Sequence, residues 1–201
     1  KNKTFQKIVY QNISDTLNFE SKLNFIKTSL FGQISKKTFN NKLIASFGFR
    51  TDQNSYSKEM SNPLKQLSPR LSLAYALGEK SSLNFNVGQY FQLPAYTVMG
   101  YQNNNNELVN KSNEITYINN KHLVFGLETN PGNFSKITIE GFYKKYDNYP
   151  FLLRDSISLA NLGGDFGVIG SEPVTSTSEG RSYGIEFLAQ KKLNKNFYGI
   201  L

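Results

Sequence analysis

The feature that most constrains the fold of this chain is a strict alternation between apolar and polar side chains. In residues 83–93, LNFNVGQYFQL, nearly all odd positions are apolar, and no even position carries an aliphatic side chain. Successive side chains of a β-strand point to opposite faces, so this spacing is typical of a strand with two chemically different faces. The two faces of this strand must therefore contact different surroundings.

Runs with the same alternation recur along the chain and are separated by turn-forming residues. They lie at about 17–38, 42–50, 68–77, 122–128, 136–146 and 181–193. Aromatic and β-branched residues fill these runs, and helical periodicity is weak throughout. No apolar run is long enough for a membrane-spanning helix, which needs about 18 residues. The sequence therefore predicts an all-β chain.

The connections between these runs alternate between short and long. The short ones are 39–41, 78–82, 130–133 and 194–196, and the long ones are 51–67, 94–120 and 147–180. Such long loops are uncommon in a compact soluble domain, whereas a transmembrane β-barrel has short periplasmic turns and long extracellular loops. Most of the runs also match the roughly 9–11 residues that cross a bilayer. We therefore predict an antiparallel transmembrane β-barrel fragment.

In such a barrel, one face of each strand contacts lipid and the other faces the interior. In the strand at 83–93 we expect five apolar side chains to face lipid: Leu83, Phe85, Val87, Phe91 and Leu93. A second set should face a wet or plugged interior: Asn84, Asn86, Gly88 and Gln92. Charges in 136–146 and 181–193 fall mainly in this interior phase, as the cost of a charge in hydrocarbon requires.

Aromatic residues lie near both ends of the predicted strands. The outer set is Phe47, Phe49, Tyr90, Phe91, Phe142, Tyr143 and Tyr146, and the inner set is Phe39, Phe134, Phe197 and Tyr198. Aromatic belts mark the two interfaces of a membrane barrel, although aromatic residues are also common in strands generally. Short connections mark the periplasmic end of each strand and long ones the extracellular end. The inner and outer aromatic sets lie at the ends that this direction predicts.

The ends of the chain indicate one part of a larger barrel. The run at 17–38 is too long for one crossing, so we expect residues 1–27 to form an extracellular hairpin. The last run, 197–201, is half a crossing, and lipid does not tolerate unpaired backbone groups. We expect residues 1–201 to form a single partial barrel domain with about seven or eight strands.

Composition excludes several classes of protein. The chain has no cysteine and a single histidine, His122, which argues against disulfides, thiolate or histidine-rich metal sites and a Ser-His-Asp triad. Its net charge of +8 comes from scattered lysines, which form no basic stripe for nucleic acid. The DFG at 165–167 lacks the other protein-kinase motifs. We predict no enzymatic activity, cofactor, metal site or nucleic-acid partner.

Several motifs, taken in order, carry a resemblance to a known family. They are FGQISKK (31–37), NPLKQLSPRLSLAYAL (62–77), NFNVGQYFQLPAY (84–96), EGFYKKYDNYPF (140–151) and GRSYGIEFLAQKKL (180–193). Together these motifs resemble the barrel of TonB-dependent outer-membrane receptors, over about residues 17–201. The resemblance implies a 22-stranded barrel in the outer membrane of a Gram-negative bacterium.

The resemblance also implies a function and a set of partners. Such a receptor binds a small nutrient outside the cell and imports it with energy relayed by the TonB complex. Its partners are outer-membrane lipid, its own plug domain and, through that plug, the TonB complex. We expect the plug and the C-terminal strands to lie outside this chain.

Six aromatic residues in the predicted loops are candidates for ligand binding, because loops on a rigid scaffold often carry function. They are Tyr96, Tyr101, Tyr146, Tyr149, Phe151 and Phe166. The alternative is that these rings pack the loops against one another.

Four glycines share the interior phase of the predicted strands: Gly48, Gly88, Gly126 and Gly184. A glycine within a strand often marks the close approach of another backbone, so these positions are expected to make room for the plug. Local bending of the barrel is an equally good explanation.

Two other functions fit the residue pattern. The first is a structural or adhesive outer-membrane barrel with its loops as the working surface. The second is a soluble carbohydrate-binding β-sandwich, in which the apolar faces would pack against a second sheet. Membrane extraction of the full-length protein would separate the sandwich from both barrels.

Overall fold

The computed structural model describes residues 2–10, 13–132, 134–162, 172–194 and 197–201. Its strands are β1 (Asn2–Tyr10), β2 (Ile13–Ser21), β3 (Lys27–Thr38), β4 (Leu43–Asn54), β5 (Ser68–Ala76), β6 (Ser81–Gln92), β7 (Ile118–Gly132), β8 (Ser135–Leu152), β9 (Ile157–Ser158), β10 (Val174–Asn194) and β11 (Phe197–Ile200). Its short α-helices are α1 (Lys58–Ser61), α2 (Tyr96–Met99) and α3 (Val109–Ser112). Within the described ranges, no helix has both the length and the apolar character needed to cross a membrane.

The strands form one large antiparallel sheet whose spatial order follows the chain. Its order is β11-β10-β8-β7-β6-β5-β4-β3, and β9 pairs with the far end of β8. Strands β1 and β2 pair only with each other, as a hairpin in a sheet of their own. The eight strands of the path agree with the predicted seven or eight. The sheet is open at β3 and β11, so the chain is part of a barrel.

Because of the strand register, the two faces predicted for 83–93 extend across the neighbouring strands. Val87 lies opposite Leu71 on β5 and Leu123 on β7, and Leu123 lies opposite Tyr143 on β8. The other face carries polar side chains, such as the row of Asn86 on β6, Ser72 on β5 and Ser46 on β4. We call these the apolar face and the polar face of the sheet.

The apolar face is open rather than packed. Phe125 is 54% exposed and Ile185 is 81% exposed, although both lie in the interior of strands. A sandwich would need a second sheet over these side chains, and the other sheet in the described ranges is the β1–β2 hairpin. An apolar surface of this extent requires lipid, which contradicts the soluble sandwich and agrees with the barrel.

The connections alternate between short and long, as the sequence predicts. The short turn after β3 places Asn40 and Asn41 in the left-handed region, with φ of 53° and 66°, a conformation that asparagine tolerates. Its end is closed by the Lys42 amide, which donates to the carbonyl of Phe39 at 3.0 Å. Residues 55–67, 93–117, 153–162 and 172–173 belong to the long connections, which the structure describes at the opposite end of the sheet.

The predicted boundaries of the long loops were wrong by several residues. Strand β8 continues to Leu152 and β10 begins at Val174, so both ends of the predicted loop 147–180 are strand. Likewise β4 continues to Asn54, inside the predicted loop 51–67. The polar residues Asp147 and Asn148 break the alternation, and Asn148 has a φ of 60°. The pairing of β8 with β10 nevertheless resumes beyond them through register shifts.

Two predictions about the outer ends of the strands also need correction. Phe91 and Leu93 pack against a core formed by the long connections, where lipid was expected. Tyr90 lies on the polar face, since it pairs with Asn120 in the same register as Gly88 with His122. Phe142 and Tyr146 lie on the polar face as well, so only part of the outer aromatic set can form a belt against lipid.

Candidate functional site

The long connections fold together into a hydrophobic core beyond the outer end of the sheet. Its buried members are Tyr56, Met60, Val98, Met99, Ile115, Tyr117, Leu152 and Val174. They come from residues 55–67 and 93–117 and from the outer ends of β8 and β10. We call this unit the loop cap. Partly buried Ile157, Leu159 and Leu162 of the third connection pack against this core. Since the described parts of the three connections share these apolar contacts, they do not behave as independent flexible loops.

A buried asparagine joins two of the connections within the loop cap. The side-chain amide of Asn110 donates to the carbonyls of Val98, at 2.7 Å, and Glu172, at 2.9 Å. Its Oδ1 accepts from the amide of Val174 at 2.8 Å. Asn110 is fully buried, and its side chain makes hydrogen bonds to three backbone groups in an apolar region, where such bonds are needed to offset the cost of burying polar atoms.

Two buried tyrosines connect the loop cap to the sheet. The Asn54 amide, at the end of β4, donates to Tyr117 Oη at 2.9 Å, and Tyr56 Oη donates to the carbonyl of Met99 at 2.7 Å. Burial raises the pKa of both phenols above the ordinary value, so both remain protonated at neutral pH. Tyr56 thus stays a hydrogen-bond donor.

An ion pair lies at the outer end of the sheet, below the loop cap. Arg50 Nε lies 2.7 Å from Asp52 Oδ2, and Arg50 Nη2 lies 2.8 Å from Asp52 Oδ1. Ser29 on β3 also donates to Asp52 Oδ1, at 2.6 Å. The buried carboxylate therefore joins the outer ends of β3 and β4 through charge-assisted hydrogen bonds.

A cavity of about 300 Å³ brings together two of the predicted loop aromatics, Tyr146 and Tyr149. The remaining lining residues are Ser158, Ala160, Asn161, Glu179, Gly180 and Arg181. Register explains the arrangement, because Tyr146 pairs with Gly180 and Tyr149 with Ser178 on β10. Tyr146 belongs to the polar face and Arg181 to the apolar face of the sheet, so the cavity is lined by residues of both faces. Aromatic rings can stack on a small ligand, and this volume is at the lower limit for such pockets.

The sequence reasoning missed Glu179, Arg181 and Asn161 as members of this cavity. Glu179 and Arg181 come to the cavity through the pairing of β8 with β10, and Asn161 follows β9, which pairs with the end of β8. The single signal for them was the charged pair that flanks Gly180. We call this pocket the tyrosine cavity.

The other aromatic candidates that the structure describes do not line the tyrosine cavity. Tyr96 is 65% exposed and lies beside Phe25, with ring centroids 6.2 Å apart. Tyr101 is 8% exposed and packs with Val109, an arrangement that corresponds to the packing alternative. Phe151 is a half-buried residue of β8, and Phe166 lies outside the described residues, as does the DFG at 165–167.

The four predicted glycines all lie on the polar face, and three of them are covered by neighbouring side chains. A Cβ on Gly126 would lie 2.8 Å from Glu140 Cγ, and one on Gly184 would lie 3.1 Å from Phe142 Cζ. A Cβ on Gly88 would meet Tyr90 and Arg70 at 3.1 and 3.2 Å. At Gly48 the nearest atom is 3.5 Å away, an ordinary contact. These glycines make room for side chains of the sheet, and contact with a plug stays a prediction.

The polar face carries charge and aromatic rings together. Arg70 lies 4.3 Å from the centroid of the Tyr90 ring, whose centroid is 4.7 Å from that of His122. His122 Nε2 has no hydrogen-bond partner within the described part of the chain. Glu140 on β8 and Glu186 on β10, two of the charged residues in the predicted interior phase of 136–146 and 181–193, lie directly opposite each other. Groups of this kind require an aqueous or protein environment, which agrees with an interior surface.

Comparison with known proteins supports this architecture. A family profile described as "TonB dependent receptor-like, beta-barrel" matches residues 4–200. The siderophore receptor PirA from Pseudomonas aeruginosa is similar in structure, with a TM-score of 0.58 and 13% identity, over 90% of this chain and 30% of PirA. The ferric enterobactin receptor PfeA (G324V mutant) from the same organism gives 0.59 and 15%, over 92% and 26%.

The copper transporter OprC is a third similar structure, with a TM-score of 0.56 and 17% identity, over 86% of this chain and 27% of OprC. No curated protein matches the chain in sequence. The chain thus spans less than a third of each of these barrel proteins. Family members are receptors and transporters of the Gram-negative outer membrane rather than enzymes. The amphipathic sheet, the connection rhythm and the profile match lead to one conclusion: the chain belongs to the TonB-dependent receptor family, as part of its β-barrel.

Proposed function

We propose that the full-length protein binds a small nutrient at its extracellular end and imports it across the outer membrane in a TonB-dependent manner. The observation that supports this proposal is the loop cap at the outer end of a lipid-facing wall, with the tyrosine cavity beside it: Ile157 and Leu159, which pack against the cap, are chain neighbours of the cavity residue Ser158. A cap held by buried hydrogen bonds is pre-organised for binding, which reduces the entropy lost when a ligand is captured.

Each part of the chain has a role in this proposal. Tyr146 and Tyr149 supply stacking surface, and Glu179 and Arg181 supply charge. The polar face lines the interior of the barrel, through which the nutrient passes. A plug domain outside this chain closes that interior and transmits the energy relayed by TonB. Among the similar structures, two are named as a siderophore receptor and a ferric enterobactin receptor, and one as a copper transporter. A metal chelate is therefore the first ligand class to test.

The test is uptake by cells that carry the full-length protein. Labelled ferric siderophores, copper, cobalamin and oligosaccharides are supplied one at a time, with and without a functional TonB complex. We expect TonB-dependent accumulation of one ligand, and we expect the double variant Tyr146→Ala/Tyr149→Ala to reduce its binding at least about tenfold. Tyr183→Ala is the matched control, because Tyr183 lies on the apolar face and is 69% exposed.

One outcome would contradict the proposed function, and another would contradict only the assignment of the tyrosine cavity as the binding site. If no small ligand accumulates in a TonB-dependent way, the structural or adhesive barrel becomes the better account. If uptake occurs but both tyrosine substitutions leave it unchanged, the receptor function stands and the binding site lies elsewhere in the loop cap.

A further inference from the structure

A groove on the apolar face has no role in the proposed transport function. It encloses about 520 Å³ and crosses the middle strands of the sheet, from β4 to β8. Its apolar wall consists of Phe47, Leu71, Val87, Leu123 and Tyr143. These side chains occupy the lipid phase of their strands, and Phe47 remains 51% exposed. The groove therefore has the shape and the chemistry to hold an acyl chain.

A row of basic residues crosses the strands directly above the groove. Lys121 on β7 lies opposite Lys145 on β8, and Lys145 lies opposite Arg181 on β10. All three side chains belong to the apolar face, one row beyond Leu123 and Tyr143, and the two lysines line the groove itself. Like charges directly opposite one another in a sheet repel, so this row costs stability unless an anion compensates it.

The protein's own carboxylates compensate this row only in part. Asp147 accepts from Lys121 at 3.1 Å and from Lys145 at 3.0 Å, and Glu179 lies 3.5 Å from Lys145. Three cations thus face two carboxylates. The lysine side chains remain 53% and 43% exposed, so an anion can reach them from the membrane side.

The position of the groove excludes other parts of a complete receptor as its occupant. The strands that close the barrel must pair with the open edges at β3 and β11, whereas the groove lies in mid-sheet. A plug domain would contact the polar face, on the other side of the same strands. At this height, near the extracellular ends of the strands, the remaining neighbour is the outer leaflet of the membrane.

We infer that the groove and its basic row form a site for a phosphate-bearing lipid of the outer leaflet. The acyl chain lies against Leu71, Val87 and Leu123, and the phosphate binds Lys121 and Lys145, with Arg181 beside them. The phosphate takes part of the role of Asp147 as the counter-charge of the lysines, since a phosphate accepts strong charge-assisted hydrogen bonds. The site would hold an annular lipid in a fixed position beside the tyrosine cavity, to which Arg181 also belongs.

The experiment uses the full-length barrel, purified and stripped of lipid in a non-ionic detergent. Bisphosphorylated lipid A is titrated in, and bound lipid is counted by native mass spectrometry. We expect K121Q/K145Q to bind roughly 30-fold more weakly, because each basic residue near a membrane surface contributes about a factor of five. The control K42Q/K80Q removes the same charge at the opposite end of the sheet and should leave binding unchanged.

A second variant separates a lipid site from a purely structural ion pair. Asp147→Asn releases both lysines from their carboxylate and should tighten lipid A binding by roughly fivefold. A structural role predicts instead that D147N and K121Q/K145Q disturb the barrel in the same direction. Dephosphorylated lipid A should bind weakly, and inorganic phosphate alone should not displace the lipid at matched concentration. Equal binding of both lipid A forms, or unchanged binding by K121Q/K145Q, would overturn the inference.

Discussion

The buried hydrogen bonds of Asn110 make the substitution Asn110→Ala the most informative test of the loop cap. Alanine removes the three hydrogen bonds that the side chain makes to the carbonyls of Val98 and Glu172 and to the amide of Val174. A hydrogen bond of this kind contributes about 1 kcal/mol net to stability. The loss of all three therefore weakens the cap by about 3 kcal/mol, which corresponds to roughly a 100-fold increase in its opening equilibrium.

The appropriate assay is amide hydrogen exchange on the full-length protein, because local opening of a cap is invisible in the melting of a stable barrel. The reporters are amides that do not bond to Asn110: Met99, which donates to the carbonyl of Ala95 at 3.1 Å, and Thr116, which donates to Ser176 Oγ at 3.0 Å. Both should exchange roughly 100-fold faster in the variant, while Phe125 in the wall stays protected.

The exposed Asn105, at the tip of the same connection, provides a matched control. Asn105→Ala removes the same side-chain chemistry at an exposed position and should leave both reporters unchanged. If Asn110→Ala leaves the exchange of Met99 and Thr116 as it was, the connections do not form one cooperative unit, and the reasoning about the loop cap is refuted.

Two further substitutions test the packing of the wall and of the cap. Gly184→Leu should cost about 1–3 kcal/mol of barrel stability, because its Cβ would meet the Phe142 ring at 3.1 Å, whereas Gly141→Leu, with no atom within 4 Å of the new Cβ, should be tolerated; thermal unfolding followed on unboiled gels measures both, and equal stability of the two would contradict the close approach. Tyr56→Phe removes the donor to the Met99 carbonyl and should weaken the cap by about 1–3 kcal/mol, seen as faster exchange near residue 99 without a change in barrel stability; unchanged exchange would show that the bond is dispensable.

The sequence was sufficient to predict the wall of the barrel, because the wall is built from local alternation. The alternation in 83–93 predicts on which face of the sheet each side chain lies. The strand register then puts neighbours such as Leu123 and Tyr143 on the same face as the apolar side chains of 83–93. Lipid and water impose opposite preferences on the two faces, so the pattern is strong enough to read from one strand.

The loop cap and the cavity could not be read in the same way. Met99, Ile115 and Val174 become buried through contacts between segments far apart in the chain, and no periodicity marks them. The interruption at Asp147 and Asn148 concealed the continuation of β8, since a bulge breaks the alternation without ending the strand. Tyr149 was identified as an aromatic residue, but its partners Glu179 and Arg181 depend on that continued pairing.

The central claim, that the sheet is a membrane wall with one lipid face, is tested most directly along β10. Cysteines are introduced singly at Ser182, Tyr183, Ile185, Glu186 and Phe187 of the full-length barrel, spin-labelled and reconstituted in bilayers. The labels at 183, 185 and 187 should collide with oxygen dissolved in the lipid, and those at 182 and 186 should be shielded from it. Collision rates without this alternation, or odd positions shielded from oxygen, would contradict the account.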